Sequence, residues 1–392
     1  MATLFDLEPR DEFALKLNDA QRRAITHGEG PLLVIAGAGT GKTRVITERI
    51  RHLLQSDESL SGENILGLTF TKKAAGEMKS RVFQASGERG NGVILATFHS
   101  FCETLLKEVA PDRVALEQVD HWILLRRNLR RLRLEKFRRL AEPGQFLSDF
   151  IAFFSRCQDE LVSSEDYQRY ADGLARQLEA ERAALDEDTY NERAEHVALQ
   201  QEIARAYRAS EELLREKCAV ALNGLIAEAV ALLQKDHELR ARLQKRFRHI
   251  LVDEFQDTNI AQLELLHLLS AEPRNIVVVG DNDQAIYRFR GASSAAFVLF
   301  QRHFPGANLV KLEKNRRSLS PILNCAFALI SKNPNVFDTM GGSAAYQRSV
   351  LVSAREEDAA RAGNELSRAP VEVVVLDAKD TESGELITKL QL

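Results

Sequence analysis

Short apolar runs followed by helix-spaced apolar positions recur towards both ends of this chain. The first runs from Leu32 to Ala36 and gives way to Val45, Ile46, Ile50, Leu53 and Leu54, the spacing of one helix face. ILGLTF (65–70) and VILATF (93–98) repeat the pattern, as do HILVDE (249–254) and NIVVVG (275–280). Strands that are apolar throughout and alternate with helices belong to a parallel sheet covered on both faces. Between Glu103 and Phe247 the strand pattern disappears. Gly falls to three (Gly144, Gly173, Gly224) and Pro to two (Pro111, Pro143), while helical periodicity is plain in YNERAEHVALQQEIARAYRASEELLREK. The expected fold is therefore α/β, a parallel sheet formed by residues 1–105 and 247–306 and interrupted by an all-helical insertion over 106–246. A further strand and helix begin in 307–392.

Composition narrows this picture only a little. With 392 residues the chain is expected to hold two or three domains, and 44% apolar with 28% charged residues is the balance of a soluble globular protein. No apolar run approaches the ~20 residues of a membrane span, so no membrane partner is expected. The N-terminus, MATLFDLEPRDEF, is mixed and acidic, unlike a signal peptide. Cys102, Cys157, Cys218 and Cys325 are scattered without a CxxC pair, which argues against zinc and a disulfide framework and fits a reducing cytoplasm. The net charge of −4 gives no global sign of a nucleic-acid partner, so local patches matter more.

The chemistry concentrates at the ends of the strands. After Leu32–Ala36 comes GAGTGKT, so that Ala36, Gly37, Ala38, Gly39, Thr40 and Gly41 form a tight loop ahead of Lys42, Thr43 and a helix. Strand, glycine-rich loop and helix in that order cradle phosphates: backbone N–H groups turn inward, and the helix N-terminus adds partial positive charge. Lys42 is placed to reach the β- and γ-phosphates and Thr43 to hold Mg²⁺. Asp253, ending its strand, is the second expected Mg²⁺ ligand, and the adjacent Glu254 is placed to polarise the attacking water. Gln284, just beyond NIVVVG, is a candidate sensor of the γ-phosphate. Gln21 lies shortly upstream of the loop, where an amide can pair with adenine N6 and N7. An arginine brought over the γ-phosphate from the 307–392 region, in the pair Arg316-Arg317, would act as a finger.

A second set of residues suits single-stranded nucleic acid. Phe70, Thr97 and His99 fall at the carboxyl ends of their strands, the edge where open α/β sheets bind ligands. Tyr287, Phe289 and Arg290 alternate ring and charge in GDNDQAIYRFRGA, a base-stacking and phosphate-gripping pattern. Within the insertion, HWILLRRNLRRLRLEKFRRL carries eight Arg or Lys and one Glu; this is either a solvated helix face or a phosphate-tracking one.

LNDAQ, AGAGTGKT, TFTKKAA, TFHS, VDEFQD, GDNDQAIYRFRGA and NRRS, in that order, resemble the superfamily 1 DNA helicases of the UvrD/Rep/PcrA type over residues 17 to about 335. The resemblance implies a RecA-like P-loop NTPase sheet with 307–392 as the incomplete start of a second RecA-like domain. It further implies a 3′-to-5′ translocase on single-stranded DNA and at duplex junctions, powered by ATP and Mg²⁺, in repair, replication or recombination. A cytoplasmic, nucleoid-associated bacterial setting and repair or replication proteins as partners follow from the same likeness. It makes Gln21 the adenine reader, Gln284 the residue coupling nucleotide to DNA, and Arg317 the γ-phosphate arginine. Phe70, Thr97, His99, Tyr287, Phe289 and Arg290 fall on its DNA track. The family's NYRS is NRRS here, so Arg316 replaces the tyrosine that stacks on adenine, with Arg44 on the other face. Phe289 stands where Trp is common. The later motifs of the family do not appear, so the chain is expected to be the amino-terminal part of a helicase, binding Mg-ATP and single strands weakly and not unwinding duplex alone. A nuclease-coupled recombination helicase, an RNA helicase and a DNA-binding module without turnover remain alternatives; intact Lys42, Asp253 and Glu254 speak against the last.

Overall fold

The computed structural model describes residues 17–137, 144–285, 296–333 and 348–364, with positions 366 and 371. In chain order the first part runs α1 (Asp19–Ile25), β1 (Leu32–Ala36), α2 (Lys42–Ser56), β2 (Ile65–Thr69), α3 (Lys72–Ser86), β3 (Ile94–Thr97) and α4 (Phe98–Val109). The insertion follows with β4 (Val114–Leu116), α5 (Gln118–Arg127), α6 (Leu147–Asp159), α7 (Ser164–Glu181), α8 (Glu187–Glu216), β5 (Ala219–Ala221), α9 (Leu225–Lys235) and α10 (His237–Arg246). The chain then returns to the sheet through β6 (His249–Val252), α11 (Ile260–Leu269), β7 (Ile276–Gly280), α12 (Ala296–His303) and β8 (Asn308–Leu312). It continues with β9 (Lys314–Asn315), α13 (Ser320–Ile330), β10 (Val352–Ser353) and α14 (Ala354–Arg361).

Six strands form one parallel sheet in the order β3-β2-β6-β7-β1-β8. Its register sets Leu33 beside Val278 and Leu309, and Leu66 beside Ile250 and Ile94. The side chains alternate between two cores, as the two-residue period of a strand requires. Leu33, Ile250, Val252, Ile276 and Val278 face the layer of α4, α9, α11 and α12, while Leu32, Val34, Leu251, Val277 and Val279 face that of α1, α2 and α3. With both faces covered, every strand reads apolar, which is why these runs were visible in the sequence. All six carboxyl ends lie along one edge.

The insertion departs from expectation in two ways. It is not all helical: β4 and β5 pair in parallel across it, Ala115 opposite Val220. Nor is it one unit from 106 to 246, because Leu225, Ile226, Ala229, Val230, Leu233, Leu239 and Leu243 of α9 and α10 pack into the sheet's own core. A separate core joins α5, α6 and α8 through Leu125, Leu147, Phe150, Phe154, Tyr207 and Leu213. There the rings of Phe150, Phe154 and Tyr207 stack in sequence. The three-residue strands β4 and β5 are too short to leave a period in the sequence, and α9 reads like any amphipathic helix until its partner is known. At the other end β8 pairs with β1 in the main sheet, so the sheet extends beyond residue 306. Beyond it β9 and β10 pair separately, with α13 beside them.

Candidate nucleotide and nucleic-acid site

The loop between β1 and α2 ends at Gly41, whose φ of 94° lies in the left-handed region that favours glycine. That turn aims the first N–H groups of α2 into the loop's concavity. Lys42 and Thr43 open the helix. Opposite them β6 ends at Asp253, and its neighbour Glu254 has a φ of 51°, an uncommon conformation for a residue with a side chain. Because β7 lies between β1 and β6, its own loop enters the site from the middle and carries Asp281 and Gln284.

These elements bring most of the expected nucleotide residues together. Lys42 Nζ lies 2.9 Å from Glu254 Oε2 and donates to Gln284 Oε1 at 3.3 Å. Thr43 Oγ1 donates to Asp253 Oδ2 at 3.1 Å. Burial, and then the neighbouring Glu254 charge, push the Asp253 carboxyl up to about 6, against stabilising bonds from Glu254 N–H and Thr43. Asp257 is likewise pushed up to about 6 by burial and by Glu254. A crowded set of acids around one lysine is a site built for added positive charge. The residues fit Mg²⁺: a hydroxyl and a carboxylate oxygen are hard donors, and this ion takes few protein ligands because it keeps waters and substrate phosphates. Among the described residues no group of three His, Cys, Asp or Glu forms a further metal cluster.

Gln21 is fully buried, with both ends of its amide engaged. Its oxygen accepts from Asn18 N–H in a capping box at 3.2 Å, and its nitrogen donates to the Thr40 carbonyl at 3.0 Å. It ties α1 to the phosphate loop, and pairing with adenine requires an exchange of these bonds. Arg44 and Arg316 sit close enough that, after burial, the Arg316 charge is the main influence lowering Arg44. The turn at 315–317 touches the loop directly: Arg316 N–H donates to Gly39 O at 2.8 Å, bringing the exposed Arg317 to its rim.

The nucleic-acid residues divide. Phe70 is half-buried at the end of β2, next to β3 and α4, and His99 is half-buried in the first turn of α4, its pKa lowered by burial. Thr97 is buried and caps α4, accepting from Ser100 N–H at 3.1 Å and sharing a hydrogen bond with Ser100 Oγ at 2.8 Å. Its hydroxyl has a structural use as the cap of α4. Phe98 is core. Tyr287, Phe289 and Arg290 lie outside the described residues. In the insertion Leu125, Leu132 and Leu134 turn inward while Arg126, Arg127, Arg130, Arg131 and Arg133 are exposed. Arg131 bonds to both carboxylate oxygens of Glu216.

Three site residues were not anticipated. Gln256 and Asp281 connect Glu254 to Gln284, and buried Asn315 donates to Ala38 O at 2.6 Å while accepting from Arg317 and Ser318 N–H, both at 2.7 Å. Each sits within a recognised motif, but a polar residue's identity in one sequence does not tell which backbone group it meets.

The model of the UvrD/REP helicase N-terminal domain matches residues 17–305, which include every element of this site except the 315–317 turn. The chain belongs to the UvrD/REP helicase family. The ATP-dependent DNA helicase PcrA of Staphylococcus epidermidis is 35% identical over 324 residues, covering 81% of this chain and 40% of that protein. PcrA of Staphylococcus aureus is 34% identical over the same share of each. The chain thus spans about 40% of the length of these curated relatives. Membership accounts for the RecA-like sheet and for the loop, acid pair and glutamine meeting at one edge of it.

Proposed function

We propose that this chain is the ATP-hydrolysing part of a 3′-to-5′ DNA helicase that moves along single-stranded DNA. The observation that carries the reading is the convergence of Lys42, Thr43, Asp253, Glu254 and Gln284 from three separate strand ends within hydrogen-bonding reach of one another. ATP and DNA are also in the names of the relatives above. Lys42 and the loop N–H groups bind the β- and γ-phosphates. Thr43 and Asp253 would hold Mg²⁺, which would supply positive charge against that building on the phosphates. Glu254 accepts a proton from the water whose oxygen attacks the γ-phosphorus, as the bond to the bridging oxygen breaks and ADP leaves. Gln284, bonded to Lys42, is placed to register whether the γ-phosphate is present, and Arg317 to meet its charge. Phe70 and His99 supply a stacking and polar edge for the strand, and the exposed arginines of the insertion suit backbone phosphates. The test is Mg²⁺-dependent ATP hydrolysis by this chain with oligo-dT, oligo-U or blunt duplex added. Stimulation by oligo-dT above the other two is expected. Equal or greater stimulation by oligo-U would make it an RNA-directed motor, and no response to either strand would remove the motor reading.

A further inference from the structure

Glu254 must point its carboxylate at a water beyond the γ-phosphate, yet it follows the end of its strand in an uncommon backbone conformation and its side chain is about one-third exposed. Among the described residues two side chains hold it. One is Lys42, at 2.9 Å. The other is Gln256, two residues on, whose amide N–H donates to the same oxygen, Oε2, at 2.8 Å. These contacts are not equivalent. A γ-phosphate competes for the ammonium protons of Lys42, whereas among the described residues the Gln256 amide bonds only Glu254 and Asp281 N–H, neither of which a phosphate would draw on.

The other end of that amide is also fixed. Gln256 Oε1 accepts from Asp281 N–H at 3.0 Å, and Asp281 Oδ2 accepts from Gln284 Nε2 at 2.6 Å. Since Gln284 Oε1 in turn accepts from Lys42, the bonds close a ring: Lys42, Glu254, Gln256, Asp281, Gln284. Gln256 is buried, and the backbone beside it has been left bare. A Cβ on Gly280 would come within 2.5 Å of Gln256 Oε1 and 3.1 Å of its backbone N. Glycine at the end of β7 is what lets the amide reach across.

We propose that Gln256 is the positioning residue that keeps Glu254 aimed when the γ-phosphate takes Lys42, and that ties Glu254 to the loop bearing Gln284. This rests on the nucleotide reading given above and adds to it how the hydrolytic carboxylate is held. A buried hydrogen bond to a charged partner, lost from the oriented state, lowers the rate without weakening ground-state binding.

The experiment compares wild type with Gln256→Glu and Gln256→Met. The first keeps the length and the acceptor for Asp281 N–H but exchanges the donor for a like charge; the second keeps the length and removes both bonds. Binding of Mg-ADP, with and without aluminium fluoride as the transition-state mimic, is measured beside hydrolysis, and each variant is melted to check folding. Both variants are expected to bind Mg-ADP within about twofold of wild type. Each should lose the extra affinity conferred by aluminium fluoride, on the order of tenfold, with kcat falling by at least as much and KM unchanged. Retained fluoride-dependent affinity and kcat in both variants would overturn the proposal. So would a parallel loss of Mg-ADP affinity, which marks general support of the pocket, and so would a wild type that binds Mg-ADP without preferring the mimic. Failure of wild type to bind Mg-ADP at all would instead bring down the nucleotide reading, and the proposal with it.

Discussion

Asp253→Asn should stabilise the protein when no nucleotide is present, although it destroys the site. The carboxyl is buried, and its pKa stands near 6 against an ordinary 3.8, burial being the main cause and Glu254 the next. About two pKa units correspond to roughly 3 kcal/mol of differential stability. The sign runs against the usual one for an acid. Because the folded-state value is raised, the folded protein holds a proton between pH 3.8 and 6 that the unfolded chain has lost. The penalty is therefore complete above pH 6 and fades as the pH falls towards 4. Asparagine removes the charge at constant volume but accepts through one oxygen only. It keeps one of the two bonds from Thr43 O–H and Glu254 N–H and gives up the other, at about 1 kcal/mol. A net gain of about 2 kcal/mol remains, which is a rise of a few degrees in Tm at pH 7.5. The assay is thermal melting of both proteins at pH 7.5 and pH 5, with and without Mg-ATP. The variant should melt higher at pH 7.5 without nucleotide, the gap should narrow at pH 5, and Mg-ATP should raise the Tm of wild type alone. An Asp253→Asn protein that melts at or below wild type at pH 7.5 would refute the argument that this carboxylate is held charged against its surroundings for a cation to use.

Phe70→Ala should weaken oligo-dT binding by about 1–3 kcal/mol if the half-buried ring is a stacking platform. A core ring would instead cost about 3–5 kcal/mol of folding stability with DNA affinity unchanged, and paired titrations and melts separate the two. Arg316→Tyr should leave turnover intact and sharpen the preference for ATP over GTP; a collapse of hydrolysis with nucleotide still bound would make Arg316 a catalytic arginine. His121, buried against Ser210 at 2.9 Å, is depressed by burial to about 4 from 6.5. Stability should fall as the pH drops from 6.5 towards 4, by up to roughly 3 kcal/mol, as the unfolded chain takes the proton first. His121→Gln should flatten that acid limb in melts across the range, and an unchanged limb would count against it.

The sheet was legible because a strand buried on both faces must be apolar along its length. That Lys42, Thr43, Asp253, Glu254 and Gln284 meet could be expected too, because the loops after the strands of a parallel sheet lie along one edge. What could not be read depends on partners far away in the chain. Nothing in VAL (114–116) or AVA (219–221) says that the two pair across a hundred residues, and nothing in α9 says that it packs on the sheet instead of the insertion. The same holds for Gln256 and Asn315, each of which meets a backbone group on another loop, and for Asp281, whose backbone N–H meets Gln256. Gln21 shows the converse case. Its position suggested a nucleobase, and its amide also ties down the loop through the Thr40 carbonyl, a contact the sequence did not show.

In the proposed reaction Glu254 acts upon the attacking water and not upon the bound phosphates. The most direct test follows γ-labelled ATP incubated with Mg²⁺, oligo-dT and either wild type or Glu254→Gln, with retained nucleotide and released phosphate counted in the same sample. Wild type should release labelled phosphate. The variant should retain intact ATP with comparable affinity and release at most about one hundredth as much. Release from Glu254→Gln at the wild-type rate, or failure of both proteins to retain nucleotide, would contradict the account.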